Sequence, residues 1–279
     1  MLALRIGSGF VAVPILILLA ADRGWLFLLG VFACGLLGTW EALWMARQAG
    51  HRPLVPFAIL TTFVVLADAA LASPVGIGAG LGLVPPGRVL GPALGIIVVF
   101  SLTVLLVRAD HGGSLIDWAL TLALPLYVAG LLQFYIPLRE RSDNGPWIFT
   151  WPALVMMTSW SCDMAAYFAG RAWGRVRLAP LISPAKTREG AIAGIVAAAA
   201  VGAAFSLATG LDPLRMAGFG LAVGLGSVVG DLAESLLKRQ TGVKDSGVLV
   251  PGHGGILDRM DSLLFCAPLA VLYLDGLGA

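Results

Sequence analysis

The 279-residue sequence has little charge, few cysteines and few histidines. Lysine, arginine, aspartate and glutamate together make up 12% of it, whereas apolar residues make up 58%. The mean hydropathy of +0.91 and the repeated apolar runs of roughly 18 residues or more exceed what a soluble core of this size needs. This composition excludes an ordinary soluble domain and predicts a polytopic membrane protein.

Cysteine is too rare and too scattered to build a site. Cys34, Cys162 and Cys266 lie in apolar segments without a Cys-x-x-Cys or Cys/His spacing. We expect them to behave as small buried apolar side chains, so neither a structural zinc site nor a disulfide framework is predicted. The sequence also contains no Ser/His/Asp or Cys/His combination that would indicate nucleophilic catalysis.

The alternation of apolar and polar residues that marks a transmembrane strand is missing as well. Stretches such as 191–208 are apolar all round, which favours helices. We therefore predict an all-α bundle of about nine membrane spans. Their predicted bounds are 6–21, 24–44, 54–72, 89–107, 115–137, 147–169, 190–209, 213–237 and 262–277. The first span follows Arg5 and resembles a short signal sequence, but we interpret it as a retained helix because more spans follow it.

The lysines and arginines are distributed unevenly between the two sides of the predicted bundle. Thirteen fall on the side of the N-terminus and five on the other. This bias predicts a cytoplasmic N-terminus and two cytoplasmic basic loops, 170–190 and 238–261. The two loops supply nine of the thirteen, so the orientation depends on them. We divide the chain into N-terminal transmembrane helices over 1–145 and a C-terminal transmembrane catalytic region over 146–279.

Several carboxylates occur inside or next to the predicted spans, where a charge needs a partner, a cavity or a helix end. Asp163 lies in the sixth span, Asp231 and Glu234 lie near the end of the eighth, and Asp258 and Asp261 directly precede the ninth. All of them are on the predicted cytoplasmic side. Their convergence predicts a polar cavity that opens to the cytoplasm.

Clustered carboxylates repel one another, and a hard divalent cation with oxygen ligands relieves that repulsion. Magnesium is the natural candidate. The alternative is that Asp231 and Asp258 form ordinary ion pairs with Lys238 and Arg259. The other charged residues have simpler explanations: Glu41, which lies at a predicted helix end, can be solvated there.

The second basic loop combines cationic side chains with glycines. These residues are Lys238, Arg239, Lys244, His253, Gly242, Gly247, Gly252, Gly254 and Gly255. Glycine lets the backbone approach a ligand, and lysine and arginine donate to phosphate oxygens, so the loop indicates a polyphosphate site. In the first basic loop, Lys186 and Thr187 precede the seventh predicted helix, whose N-terminus favours anions. A simple helix cap is the alternative there.

At this point the sequence resembles a known family, the bacterial phosphatidate cytidylyltransferases or CDP-diacylglycerol synthases. The residues that carry the resemblance are Ser235, Lys238-Arg239, Lys244-Asp245, Pro251, His253-Gly254-Gly255, Asp258-Arg259 and Asp261, with Gly230-Asp231, Ser183-Pro184 and the stretch 163–171 upstream. Ala185 departs from the family, which commonly has lysine there, so that side chain's task is absent or falls to Arg188. The similarity covers roughly 155–265, and the first five spans match in general character only.

The resemblance implies a multi-pass enzyme of the bacterial inner membrane, often a homodimer, among membrane lipids. It would make CDP-diacylglycerol and pyrophosphate from CTP and phosphatidic acid with Mg²⁺, alone or with a second cation, and would bind no nucleic acid. The implied metal ligands are Asp231 and Asp258, followed by Asp261 and Asp163. The implied phosphate-binding residues are Lys186, Thr187, Lys238, Arg239, Lys244 and Arg259. Ser235 would bond a metal-bound water, Asp245 would orient Lys244, and His253 would donate to pyrophosphate or brace the glycine turn.

Two other classes of protein would share part of this pattern. An ion-coupled transporter could use Asp163 and Asp231 as a cation path, although it would not need the phosphate-binding loop. A CTP-dependent polyprenol kinase would be closer in its chemistry. A CDP-alcohol phosphatidyltransferase would show an acid-rich motif beginning Asp-Gly, which this sequence lacks.

Overall fold

The computed structural model describes residues 25–73, 89–108, 114–142, 150–249 and 254–277. The first half of the chain contains helices α1 (Trp25–Gln48), α2 (Val55–Ala72), α3 (Leu90–Arg108), α4 (Leu115–Leu132) and α5 (Tyr135–Glu140). The second half contains α6 (Trp151–Trp173), β1 (Arg177–Ala179), β2 (Ser183–Thr187), α7 (Arg188–Ala204), α8 (Ser206–Thr209), α9 (Pro213–Thr241) and α10 (Leu257–Leu277). The predicted all-α class is confirmed. The predicted first span, 6–21, lies outside the described residues.

Seven helical segments in the described part of the chain are long and apolar enough to cross a membrane. They are Trp25–Gln48, Val55–Ala72, Leu90–Val107, Leu115–Glu140, Arg188–Thr209, Pro213–Thr241 and Leu257–Leu277. The 23-residue helix α6, predicted as a span, is outside this set because polar residues such as Ser159, Asp163 and Arg171 lower its hydropathy. A multi-pass membrane protein is therefore supported, and the number of nine spans stays a prediction.

The helix ends differ most from the predicted ones where charged residues lie inside a helix. Helix α10 begins at Leu257 rather than at residue 262, so Asp258 and Asp261 belong to its first two turns. A boundary drawn from hydropathy excludes such charged turns. Similarly, α1 continues to Gln48, which places Glu41 inside the helix and not at its end.

The loop predicted over 170–190 contains a small antiparallel hairpin. Strand β1 pairs with β2 in a two-stranded sheet, with Arg177 opposite Thr187 and Ala179 opposite Ser183. Strand β2 leads directly into α7, and Thr187 caps that helix. Strands of three and five residues are too short for a sequence pattern to reveal, which is why the hairpin was not predicted.

The chain folds as two compact units. The first comprises Met1–Glu140 and Gln240–Asp258, and the second comprises Arg141–Arg239 and Arg259–Ala279. In the first unit, α1 packs against α2 closely enough that the hydroxyls of Thr39 and Thr62 are 2.8 Å apart in the buried interface. The basic loop after α9 thus belongs to the first unit, together with α1.

Glycines allow the helices of the second unit to approach one another. A Cβ on Gly194 of α7 would lie 2.7 Å from the carbonyl oxygen of Cys162 in α6. A Cβ on Gly230 of α9 would lie 2.5 Å from the carbonyl oxygen of Asp261 in α10. Small residues at such contacts let backbones meet, as is common in membrane helices. This packing brings Asp163 of α6, Asp231 of α9 and Asp261 of α10 into one region of the second unit.

Candidate active site

Three of the predicted metal ligands meet in the second unit, each supplied by a different helix. They are Asp163 of α6, Asp231 of α9 and Asp261 of α10, which we call the acid cluster. Asp163 interacts electrostatically with both other carboxylates, and Asp261 interacts with Asp231. The structure therefore places these three side chains within electrostatic range of one another, and their role as metal ligands stays a prediction.

Hydroxyl groups and a glycine hold the acid cluster in place. Ser227 of α9 donates to Oδ1 of Asp163 at 3.1 Å, and its oxygen also lies 3.0 Å from that of Ser159 on α6. Gly230 removes the side chain that would otherwise separate α9 from the first turns of α10. The backbone before Asp231 can therefore lie against the backbone of Asp261.

Lys186 supplies positive charge to the acid cluster. Its Nζ forms an ion pair with Oδ2 of Asp231, and it is also within electrostatic range of Asp163. Lys186 is in β2, so the hairpin carries this ammonium group to α9. One lysine does not balance three carboxylates, and the region therefore favours a further cation.

Three more residues of α9 surround the acid cluster. Lys238, predicted to bind phosphate, has its Nζ 3.5 Å from Oε2 of the fully buried Glu234. Glu234 also interacts with Asp261. Ser235 donates to Oδ1 of Asp231 at 3.4 Å, a long contact. The ion pair predicted between Asp231 and Lys238 as an alternative is therefore replaced by the pairs Lys186–Asp231 and Lys238–Glu234.

The remaining predicted phosphate-binding residues of the second unit have different surroundings. The exposed Arg239 donates from Nε to the carbonyl oxygen of Ile182 at 3.2 Å. Thr187 is buried, and its hydroxyl accepts from the N–H of Gly190 at 3.2 Å. Its geometry is that of an N-cap, the alternative that the sequence left open for this position. Arg259 is exposed.

Asp258, the fourth predicted metal ligand, is buried in the first unit and holds the basic loop. Its Oδ2 accepts from the backbone N–H of Ser246 and of Gly255, both at 2.8 Å, and lies 2.9 Å from the hydroxyl of Ser246. Lys244 and Asp245, just before Ser246, are exposed. His253 lies outside the described residues. One oxygen of Asp258 is thus engaged by the loop, and its role as a metal ligand stays a prediction.

Glu41 bonds to the basic loop, a contact that the sequence does not predict. It is 2% exposed and bonds to the same loop, so the expectation that it is solvated at a helix end is wrong. The signal was present in the sequence, because an acid inside an apolar helix needs a partner. A helix that ends at residue 44, as predicted for α1, places Glu41 in its last turn, where a charge can be solvated and needs no buried partner.

The donor chemistry of the acid cluster fits Mg²⁺. Magnesium prefers carboxylate oxygens and is commonly held by one or two carboxylates together with substrate phosphates and water. Within the described ranges, no three His, Cys, Asp or Glu side chains are arranged to hold an ion by themselves. Asp231 with one neighbour could nevertheless supply the protein's share of such a site, because phosphate oxygens would complete it.

Comparisons with known proteins agree with this chemistry. A model of the cytidylyltransferase family matches residues 3–277. A phosphatidate cytidylyltransferase of Haemophilus influenzae is 34% identical over 262 residues, 87% of each chain. One of Synechocystis is 31% identical over 295 residues, 96% of this chain and 95% of the relative. One of Brucella suis is 46% identical over 152 residues, and this match spans about half the length of each chain (54% and 55%). The chain belongs to the cytidylyltransferase family.

Proposed function

We propose that this chain is a phosphatidate cytidylyltransferase, an integral membrane enzyme that transfers the cytidylyl group of CTP to phosphatidic acid. The products are CDP-diacylglycerol, a precursor in phospholipid biosynthesis, and pyrophosphate. The observation that carries the proposal is the acid cluster with Lys186 at Asp231, in a chain whose family and relatives share this activity. A transporter would not need that combination in a sequence that also contains a glycine-rich basic loop.

The reaction joins two anions. A phosphate oxygen of phosphatidic acid forms a bond to the α-phosphorus of CTP, and the bond from that phosphorus to the β-phosphate oxygen breaks to release pyrophosphate. The attacking phosphate monoester is already ionised near neutral pH, so no strong general base is needed. The protein's main task is to neutralise and align the negative groups.

Asp231 is the first proposed Mg²⁺ ligand, with Asp261 and Asp163 as further ligands or orienting groups. When bound, Mg²⁺ would draw charge from the phosphate oxygens and align the two reactants, and a second cation could share that work. Ser235 orients the Asp231 carboxylate. Ser227 does the same for Asp163.

Cationic side chains bind the phosphates in this proposal. Lys186 balances Asp231 when no substrate is bound, and it is close enough to turn its ammonium group toward a phosphate oxygen. The other proposed phosphate-binding residues are Lys238, Arg239, Lys244, Arg259 and His253. Asp245 orients Lys244, and Thr187 shapes the N-terminus of α7 as its cap.

The proposed setting is the bacterial inner membrane, with the N-terminus in the cytoplasm and the enzyme as a homodimer among membrane lipids. The bias of thirteen lysines and arginines against five supports the orientation. The apolar helices and the bacterial relatives support a location in the bacterial inner membrane.

Purified protein in lipid, supplied with CTP, phosphatidic acid and Mg²⁺, tests the activity. We expect CDP-diacylglycerol and pyrophosphate in equal amounts. Production of CDP and a new phosphomonoester would instead identify a CTP-dependent lipid kinase. A protein that folds but does not consume CTP would contradict both and would favour transport.

A further inference from the structure

Glu41 is a buried carboxylate of the first unit, and both of its oxygens accept hydrogen bonds from the backbone. Its Oε1 accepts from the backbone N–H of Ile256 at 3.0 Å, and its Oε2 accepts from the N–H of Leu257 at 2.8 Å. Both donors are at the start of α10, where N–H groups have no partner within the helix. A negative charge is also favoured at that helix end. Glu41 therefore caps α10 from a helix more than 200 residues earlier in the chain.

The hydroxyl of Ser246 connects Glu41 to Asp258. Its Oγ lies 3.1 Å from Oε2 of Glu41 and 2.9 Å from Oδ2 of Asp258, and it accepts from the backbone N–H of Asp258 at 3.2 Å. Asp258 in turn accepts from the N–H of Gly255. Glu41, Ser246 and Asp258, which we call the loop clamp, thus fasten the two described ends of the basic loop at one buried point.

Two glycines of the basic loop make room for Glu41. A Cβ on Gly247 would lie 2.5 Å from Oε1 of Glu41, and the three nearest atoms that it would meet all belong to Glu41. A Cβ on Gly255 would collide with Oε2 of Glu41 and the hydroxyl of Ser246. The sequence predicts that these glycines let the backbone approach a ligand. At Gly247 and Gly255 the structure gives a different reason, which is the close approach of a carboxylate from α1.

The loop clamp fixes the backbone beside the exposed charged residues of the loop. Lys244 and Asp245 directly precede Ser246, and both are exposed, whereas Glu41 and Asp258 are 2% and 8% exposed. Among the described residues no lysine, arginine or histidine pairs with Glu41, so hydrogen-bond donors of the loop and of α10 stabilise its charge. Removing the carboxylate would free the loop without removing any group proposed to touch substrate.

We infer that Glu41 is a positioning residue for the basic loop. It holds Lys244 and Asp245 in place for the phosphates of the substrates. The expected effect of Glu41 on catalysis rests on the proposed function. Its expected effect on the order of the loop does not depend on that function.

The principal test compares Glu41→Gln with the wild type in the full-length protein in lipid. Glutamine has nearly the same shape, but its NH₂ group would face an N–H donor. We expect kcat/KM for CTP to fall about 10- to 100-fold, as for the loss of one to two charge-assisted hydrogen bonds. Amide hydrogen exchange in residues 244–249 and 254–258 should become at least about tenfold faster by the same energetic argument. Glu41→Asp, which keeps the charge but is one methylene shorter, should have an intermediate effect.

Asp117→Asn is the matched control. Asp117 is also a buried carboxylate of the first unit that accepts a backbone N–H, from Arg52 at 2.7 Å, but it bonds to α4 and its neighbours and not to the loop. We expect it to lower thermal stability without changing exchange in the loop or kcat/KM beyond about twofold. If Asp117→Asn and Glu41→Gln behave alike, Glu41 has only a general structural role and the inference is wrong.

A double substitution keeps the test decisive if Glu41→Gln folds poorly. Gly247→Ala should accelerate loop exchange in the wild-type background, because its methyl group would displace Glu41. In the Glu41→Ala background the same methyl group should have little further effect, whereas Gly130→Ala, at a helical glycine with open space around it, should be neutral in both. Additive effects of Gly247→Ala and Glu41→Ala would overturn the inference. Loop exchange decides this even for a protein that lacks the proposed activity, whereas a wild type without CDP-diacylglycerol synthesis would refute only the proposed function.

Discussion

The two units use carboxylates in opposite ways. In the first, Glu41 and Asp258 are buried and accept backbone N–H groups, so their charge is stabilised by fixed dipoles. In the second, Asp231 pairs with a lysine and lies near other acids, so the local charge is incompletely balanced. A carboxylate whose charge is satisfied by amides holds structure, whereas one beside like charges is suited to binding a cation. Residue type and spacing do not distinguish these tasks, but hydrogen-bond partners do.

The largest effect that follows from this comparison concerns Asp231. Asp231→Asn removes the first proposed Mg²⁺ ligand and the partner of Lys186, so kcat should fall about 10²- to 10³-fold while the protein stays folded. Turnover of CTP with phosphatidic acid, together with thermal unfolding, measures both.

Asp212→Asn is the control for Asp231→Asn because Asp212, just before the first residue of α9, is exposed and its carboxylate accepts from the N–H groups of Leu214 and Arg215. It should keep full turnover. Wild-type turnover in Asp231→Asn would remove the acid cluster from the mechanism.

Asp258→Asn should affect stability and activity together. An amide oxygen in the place of Oδ2 could accept the same donors but without the negative charge that strengthens these bonds, so the free energy of unfolding should fall by about 2–4 kcal/mol and turnover should fall with it. Thermal unfolding in lipid combined with loop hydrogen exchange would detect this. If Asp258→Asn lost turnover with unchanged stability and exchange, Asp258 would act only as a metal or substrate ligand. The contrast between structural carboxylates in the first unit and cation-binding ones in the second would then be wrong for that residue.

Lys186→Met should have a smaller effect. It removes the ammonium group at Asp231, and a partly exposed ion pair of this kind contributes modestly. We expect KM for CTP to rise about tenfold, mainly because a phosphate contact is lost. Arg177 is on the same hairpin, and its guanidinium donates to the carbonyl oxygen of Ala185 at 3.5 Å. Arg177→Gln should therefore leave KM for CTP unchanged. An unchanged KM in Lys186→Met would limit that lysine to balancing Asp231.

Ser235→Ala should have the smallest effect, since its hydroxyl contacts Asp231 only at 3.4 Å. Turnover should fall about two- to threefold, as for the loss of one weak hydrogen bond. Ser161→Ala, whose hydroxyl bonds to the carbonyl oxygen of Thr158 away from the acid cluster, serves as the reference. A loss above about tenfold would place Ser235 directly on substrate or cation.

The sequence predicted the helical class and the meeting of Asp163, Asp231 and Asp261, because both depend on the cost of placing polar groups in an apolar bundle. It could not predict that Lys186 pairs with Asp231, since a short hairpin brings them together across 45 residues. Nor did it identify the task of Gly247, which depends on a carboxylate from α1. Hydropathy locates spans, but it carries no information about which distant residue fills the space beside a glycine.

The Mg²⁺ dependence of CDP-diacylglycerol synthesis in Asp231→Asn and Glu41→Gln tests most directly whether the acid cluster binds the cation and the loop clamp positions the basic loop. The Mg²⁺ concentration for half-maximal rate should rise in Asp231→Asn, measured on its residual turnover. In Glu41→Gln it should match the wild type although the rate is lower. A shift in Glu41→Gln as large as that in Asp231→Asn, or no shift in Asp231→Asn, would contradict the assignment of cation binding to the acid cluster and of loop positioning to the clamp.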